Sequence, residues 1–323
     1  MYIQPETIVE QYELSVSQIT KGRGTYICKT DEKDMVLVPF KGSNERAEFL
    51  KSVMEYLCKN QIIVEKIYRT KDGSAVAQDE MGGKYILKEL FLGTECNLKN
   101  VGDIREAVKQ LALLHEVLAR CPLEIPQFMK LEKEGLLSTY EKHIRELIKV
   151  KNYIKNKKKK NEFERKFQEY YPKFIKMANQ SVQLLEKNQT DCFALYHGDF
   201  NQHNIIKTPE GYRMIHLESL NYGISVSDLV NFLRKTMEKN GWDENLGLSM
   251  LKWYEEVSPI PKENYKLVYT LLLFPEKFWK IANHYYNSHK AWLSGRDIEK
   301  LDKVIEQEDA RLSFLEKLFS FIE

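Results

Sequence analysis

At 323 residues the chain can bury a sizeable core and form about two domains, and its 49 basic and 47 acidic side chains nearly cancel to +2, so no global field argues for nucleic acid or an anionic membrane. Five scattered cysteines, Cys28, Cys58, Cys96, Cys121 and Cys192, make no CxxC and no His/Cys metal spacing, which reads as reduced thiols in a cytosolic setting. The first twenty residues lack an apolar signal core, and the longest apolar run, around Leu271 to Phe274, is too short to span a bilayer, so the expectation is neither secretion nor membrane insertion.

In chain order, Ser15 to Ile19 and Thr25 to Cys28 read as strands flanking Lys21-Gly22-Arg23-Gly24, where two glycines permit a tight hairpin. Asp34 to Phe40 alternates as a strand should. Asn44 to Cys58 places Phe49, Val53, Met54 and Leu57 at helical spacing behind a Ser43 or Asn44 cap. Ile62 to Arg69 and Ser74 to Gln78 read as strands joined by the turn signal Lys71-Asp72-Gly73-Ser74, and Tyr85-Ile86-Leu87 closes the unit. Beyond Phe91-Leu92-Gly93, Val101 to Leu118 is an amphipathic helix, and Leu131 to Lys187 is helical and heavily charged. Its run Lys157 to Lys160 reads as a solvated helix end or turn, because no aromatic interleaving supports a nucleic-acid patch. Leu248 to Tyr254, Phe274 to Tyr286 and Leu301 to Phe319 continue the helical pattern.

The stretch His197-Gly198-Asp199-Phe200-Asn201-Gln202-His203-Asn204 spaces a carboxylate five positions before an asparagine, on a turn entering the apolar Ile205-Ile206. In a phosphoryl-transfer loop that spacing lets the Asp accept the proton of an attacking hydroxyl while the Asn holds magnesium, so positioning and charge neutralisation drive the transfer. The plainer alternative is a carboxylate that caps its own loop. The following strand, Tyr212 to Glu218, ends where such a site presents an Asp as its main metal ligand, and the residue there is His216. Glu218, two positions on and read as sharing the strand face, is a candidate replacement ligand, against a solvent-facing or arginine-paired glutamate. His203 reads as loop packing, His115 as a core histidine, and Trp279, Tyr285, Tyr286 and Trp292 as core aromatics at helical spacing.

His197 to Asn204 resembles the HGDxxxxN loop of the aminoglycoside phosphotransferase and choline kinase superfamily, and within it the chain resembles the CotS-type spore coat proteins. Lys21 to Cys28, Phe40 to Ser43, Tyr85 to Lys88 with Gly93 to Cys96, Leu111 to His115, Asp228 to Lys235 and Pro275 to Trp279 carry that likeness along almost the whole chain. The resemblance implies an α+β, two-lobe, protein-kinase-like fold. A small antiparallel-sheet lobe would span 1–88, and a mostly helical lobe 89–323 with the catalytic-loop-like segment 196–218, with a cleft between them. It also implies Asp199 as base, His197 as the residue orienting the loop, Asn204 as metal ligand, Asp228 as a structural carboxylate supporting the loop, and Gly22 and Gly24 in the nucleotide-covering hairpin.

Several positions depart from that pattern. His216 replaces the metal-binding Asp, and a neutral imidazole is a poor ligand for a hard cation. Val38 falls where the small-lobe strand supplies the phosphate-holding lysine, Pro39 follows it, and Lys41 is three residues on with its direction reversed. Leu50 stands for the helix glutamate, with Glu48 two positions short. A lysine and a glutamate that work as a pair are lost as a pair, so the expectation is a spore coat or spore-associated protein, made in the cytoplasm, whose degenerate kinase-like fold acts as a binding and assembly module. ATP and Mg²⁺ would then bind weakly or not at all, and partners would be other coat proteins, with no nucleic acid and no membrane. Two alternatives stay open: an active ATP-dependent kinase of a sugar or amino-alcohol, with Asp199 as base and Asn204 plus Glu218 holding magnesium, and a nucleotide-binding regulator without turnover.

Overall fold

The computed structural model describes residues 4–129, 135–188, 193–288 and 295–320. From the N-terminus the elements are α1 (Pro5–Val9), β1 (Val16–Lys21), β2 (Tyr26–Thr30), β3 (Met35–Pro39), α2 (Asn44–Lys59), β4 (Ile67–Tyr68), β5 (Ala77–Gln78), β6 (Lys84–Glu89), β7 (Thr94–Glu95) and α3 (Val101–Ala119). Two long helices, α4 (Gly135–Lys155) and α5 (Glu162–Lys187), precede β8 (Ala194–Tyr196), β9 (Ile205–Thr208), β10 (Gly211–Met214) and β11 (Asn221–Gly223). Among the described residues, helices α6 (Val226–Lys239), α7 (Glu244–Glu255), α8 (Lys262–Leu273), α9 (Glu276–Asn287), α10 (Gly295–Glu306) and α11 (Glu308–Phe319) follow. The chain divides into two compact units, 1–124 with 195–221, and 125–194 with 222–323.

The first unit is built on an antiparallel sheet in the order β1-β2-β3-β6-β4, with β5 also paired to β6. The β1–β2 turn closes where the Gly22 N–H donates to the Thr25 carbonyl at 2.9 Å, and Gly24 takes φ +74°, which a residue with a Cβ adopts only under strain. Strand alternation then sorts β3: Met35 and Leu37 enter a core with Cys28, Ala77, Tyr85, Leu87, Ile8, Val9 and Tyr12, while Val36 and Val38 face the other side. Residues paired across strands share a face, so Lys88, opposite Val36, and Ile86, opposite Val38, lie on that second side too.

α2 starts where the Ser43 hydroxyl accepts the Arg46 N–H at 3.2 Å, and it buries Ala47, Leu50, Val53, Met54 and Leu57 along one stripe. The expected strands around Ile62 to Arg69 and Ser74 to Gln78 shrink to the two-residue β4 and β5, because Thr70, Asp72 and Ser74 bond one another in a local turn and draw the flanking backbone off the ladder. A second sheet, β10-β9-β7, carries the loop of interest. Gly93 allows this sheet to form, since a Cβ there would sit 2.3 Å from the Lys207 carbonyl oxygen.

The second unit is helical. α5 opens on a capping box between Asn161 and Glu164, and its apolar stripe supplies Phe163, Phe167 and Phe174, the last two stacking on Phe278 of α9. The lysine run lies in the α4–α5 turn, where Lys157 pairs with Glu164 at 2.5 Å. Trp279 stacks on His143 and donates to Glu146, and Tyr285 stacks on Phe163 and bonds Glu164, so both are half-buried and packed between helices rather than in the core; Tyr286 is exposed. His115 is buried on α3. Cys28, Cys58, Cys96 and Cys121 are free thiols, and Cys192 and Trp292 lie outside the described residues. Among the described residues no helix is long and apolar enough to cross a membrane.

Candidate active site

The loop after β8 is fixed by its first three residues. His197 is fully buried; its Nε2 lies 3.0 Å from the Ile215 carbonyl and its Nδ1 accepts the Asp199 N–H at 3.3 Å. A carbonyl can only accept, so the ring is the neutral Nε2–H tautomer and ties the loop to the strand end across from it. Gly198 follows with φ +80°, and a Cβ on it would fall 2.1 Å from the Ser219 carbonyl oxygen. Only glycine lets these two segments touch. Asp199, half-buried, then receives an amide on each carboxylate oxygen: Asn201 Nδ2 at 2.9 Å and Asn204 Nδ2 at 3.1 Å. Asn204 Nδ2 also lies 2.8 Å from the Asp199 carbonyl, so the loop, which ends in a 3₁₀ turn at Gln202–Asn204, folds the expected base against the expected metal ligand.

The segment beyond β10 differs from the expected strand. β10 ends at Met214; the Ile215 N–H donates to the Asn204 carbonyl at 3.0 Å, His216 turns to φ +67°, and Leu217–Ser219 form one 3₁₀ turn. A left-handed residue breaks the two-residue alternation, so the pair does not lie along one strand face: the His216 side chain is 46 % exposed and that of Glu218 10 %, although His216 Nδ1 still comes within 3.8 Å of Glu218 Oε1. Glu218 is therefore neither solvent-facing nor paired through its carboxylate with an arginine. Its Oε1 contacts the Lys88 ammonium, and Arg46 of α2 instead binds the backbone carbonyls of Glu218 and Leu220, at 3.3 and 2.9 Å.

Lys88 and Glu65 are the residues that sequence reasoning missed. Lys88 Nζ, on the second face of β6, lies 2.7 Å from Glu65 Oε1 while also touching Glu218, and all three side chains are at least nine-tenths buried. Glu65 additionally accepts the N–H groups of His216 (2.7 Å) and Leu217 (3.2 Å), so one carboxylate oxygen holds the turn in place. Burial pushes the Glu65 carboxyl up to about 7, with Glu218 adding to the rise and Lys88 opposing it. Burial acts the same way on Glu218, but there the Lys88 ammonium outweighs it and holds the carboxyl below its usual value. The signal in the sequence was one charge of each sign inside otherwise apolar strand runs, Ile62 to Ile67 and Tyr85 to Lys88.

The other expected positions fall as follows. Val38 is half-buried and, with Pro39, Phe40, Lys41, Gly42, Arg46, His216, Glu218 and Ser219, lines a pocket of about 450 Å³. Lys41 faces this pocket because the strand ends at Pro39, which voids the reversal of direction counted along an unbroken strand. Leu50 is buried in α2, and Glu48 forms an ion pair with Arg69 at 2.6 Å. Gly22 and Gly24 stay in the β1–β2 turn and do not line the pocket. His203 is exposed, with its Nδ1 2.6 Å from a Glu95 carboxylate oxygen at the surface. Asp228 is buried in the first turn of α6, in the second unit. Among the described residues no three or more His, Cys, Asp or Glu side chains are placed to share a metal ion.

An antiparallel sheet carrying one helix, an HGDxxxxN loop entering a second sheet and a helical unit together define the fold shared by aminoglycoside phosphotransferases and choline kinase. An aminoglycoside phosphotransferase from Alicyclobacillus acidocaldarius superposes with a TM-score of 0.84 at 17 % identity, covering 100 % of this chain and 97 % of its own. The amicoumacin kinase hAmiN, solved with AMP-PNP, Ca²⁺ and Ami, superposes with a TM-score of 0.65 at 13 % identity over 96 % of this chain and 92 % of its own. The chain belongs to the family described as Spore coat putative kinase YutH, whose model matches residues 5–318. Spore coat protein S of Bacillus subtilis (strain 168) is 23 % identical over 310 residues, 92 % of this chain and 87 % of that protein.

Proposed function

We propose that this protein is a spore coat-associated module whose kinase-like fold binds and assembles, and whose phosphoryl transfer is weak or absent. The observation that carries the reading is the donor set around His216. A hard divalent cation seeks several oxygens, and the turn offers a half-exposed imidazole followed by a glutamate with one oxygen committed to Lys88. β3 supplies no cation at Val38, and Lys88, buried between two carboxylates, has no face left for a phosphate. The residues present thus fit a metal-bound triphosphate poorly. Family membership supports association with the spore coat and coat proteins as partners. The intact Asp199–Asn204 arrangement favours the second reading, an active small-molecule kinase with Asp199 as base.

Phosphoryl transfer decides between them. Loss of one key electrostatic contact in such sites costs roughly 10²–10³ in rate, so ATP consumption by the wild type should match that of Asp199→Ala. Robust wild-type turnover that vanishes in Asp199→Ala would overturn the proposal.

A further inference from the structure

The pocket against the His216–Ser219 turn holds one unsatisfied carboxylate oxygen and one ammonium without an ion pair among the described residues. Glu218 is nine-tenths buried, and its Oε2 is buried with no hydrogen-bond partner among the described residues. A buried acceptor left without a donor is uncommon and costly, and an ionised one more so. Lys41 lines the same pocket, is exposed, and makes no ion pair among the described residues. Arg46 does not play that part, because its guanidinium is already donating to the carbonyls of Glu218 and Leu220. The same lining offers apolar surface at Val38, Pro39 and the ring of Phe40, beside His216 and Ser219.

We propose that this pocket binds a small zwitterion that carries a primary ammonium and an acidic group, either carboxylate or phosphate. The ammonium donates to Glu218 Oε2, the acid faces the Lys41 ammonium, and the alkyl portion lies on Val38, Pro39 and Phe40. A divalent cation suits the site less well. It would find one orphan oxygen and the His216 imidazole beside the positive charges of Lys88 and Arg46, and among the described residues no three or more His, Cys, Asp or Glu side chains are placed to share it, whereas an ammonium brings its own donors and needs no shell of six oxygens. A triphosphate placed there would set anionic oxygens against the unpaired carboxylate oxygen. The inference rests on the reading that the site binds and does not transfer.

Titration calorimetry of the full chain tests it with glycine, γ-aminobutyrate and O-phosphoethanolamine as zwitterions of different reach and acid, ethylammonium and acetate as single-charge controls, and MgATP as a separate ligand. At least one zwitterion should bind saturably and about tenfold more tightly than ethylammonium. Lys41→Ala, which removes an exposed side chain that holds nothing in the fold, should weaken that zwitterion about fivefold and leave ethylammonium unchanged; Glu218→Gln should weaken both. The better of γ-aminobutyrate and O-phosphoethanolamine identifies the acid. Failure of every zwitterion to saturate at millimolar concentration, or binding indifferent to Lys41→Ala, overturns the assignment. Transfer from MgATP by the wild type would overturn the preceding proposal instead, a result read in a different assay.

Discussion

Two regions of the first unit are both polar and closely bonded, yet they are built on opposite principles. The loop His197 to Asn204 is held by neutral donors and acceptors around one half-exposed carboxylate. The cluster of Glu65, Lys88 and Glu218 is a buried set of two carboxyl groups around one ammonium. A neutral network tolerates the loss of a member, because a half-exposed group can return to water. A buried ionic one does not, since removing the cation strands two carboxylates in a low-dielectric interior.

The largest effect should separate the two regions at once. Lys88→Met is expected to destabilise the fold by roughly 3–5 kcal/mol, whereas Asp199→Asn should cost no more than about 1 kcal/mol, both read from urea midpoints at neutral pH. Comparable losses would show that the regions do not differ as described. Gly198→Ala joins them, since it forces a residue with a Cβ to φ +80° against the Ser219 carbonyl; roughly 1–3 kcal/mol of strain is expected in the same measurement, and a neutral result would mean that the two segments part easily.

A pH series sharpens the contrast further. The Glu65 carboxyl rises from 4.5 to about 7 on folding, so the stability it confers is complete below about pH 4.5 and is lost as pH rises through 7. The wild type should therefore lose stability across that window, and Glu65→Gln should flatten the slope. Glu218 has the opposite sign, since its lowered carboxyl adds stability that is lost as pH falls below 4.5, and this limb should survive in Glu65→Gln. A wild type with constant stability from pH 5 to 7.5 would contradict the assignment. Smallest of all, Ser43→Ala removes the cap of α2 and should cost about 1 kcal/mol in thermal melts, with Ser43→Asn restoring it.

What the sequence made legible follows the same divide. The loop could be read because its parts are contiguous: eight residues carry the base, the asparagine and the glycine that lets them turn. β1 to β3 and α2 were legible from alternation, helical spacing and the Ser43 cap. The charge cluster was not, because residues 65, 88 and 218 meet only after three separate segments have folded, and a strand pattern marks Lys88 as outward without saying that another segment covers it. His216 was found as a departure, but its left-handed backbone was not, so the unbroken strand assumed when placing Glu218 ends before it.

Arg46 sits in the first turn of α2, yet its guanidinium ends on the carbonyls that flank Ser219. Helix and turn are thereby geared together: α2 cannot roll about its axis without pulling on the segment that forms one wall of the pocket.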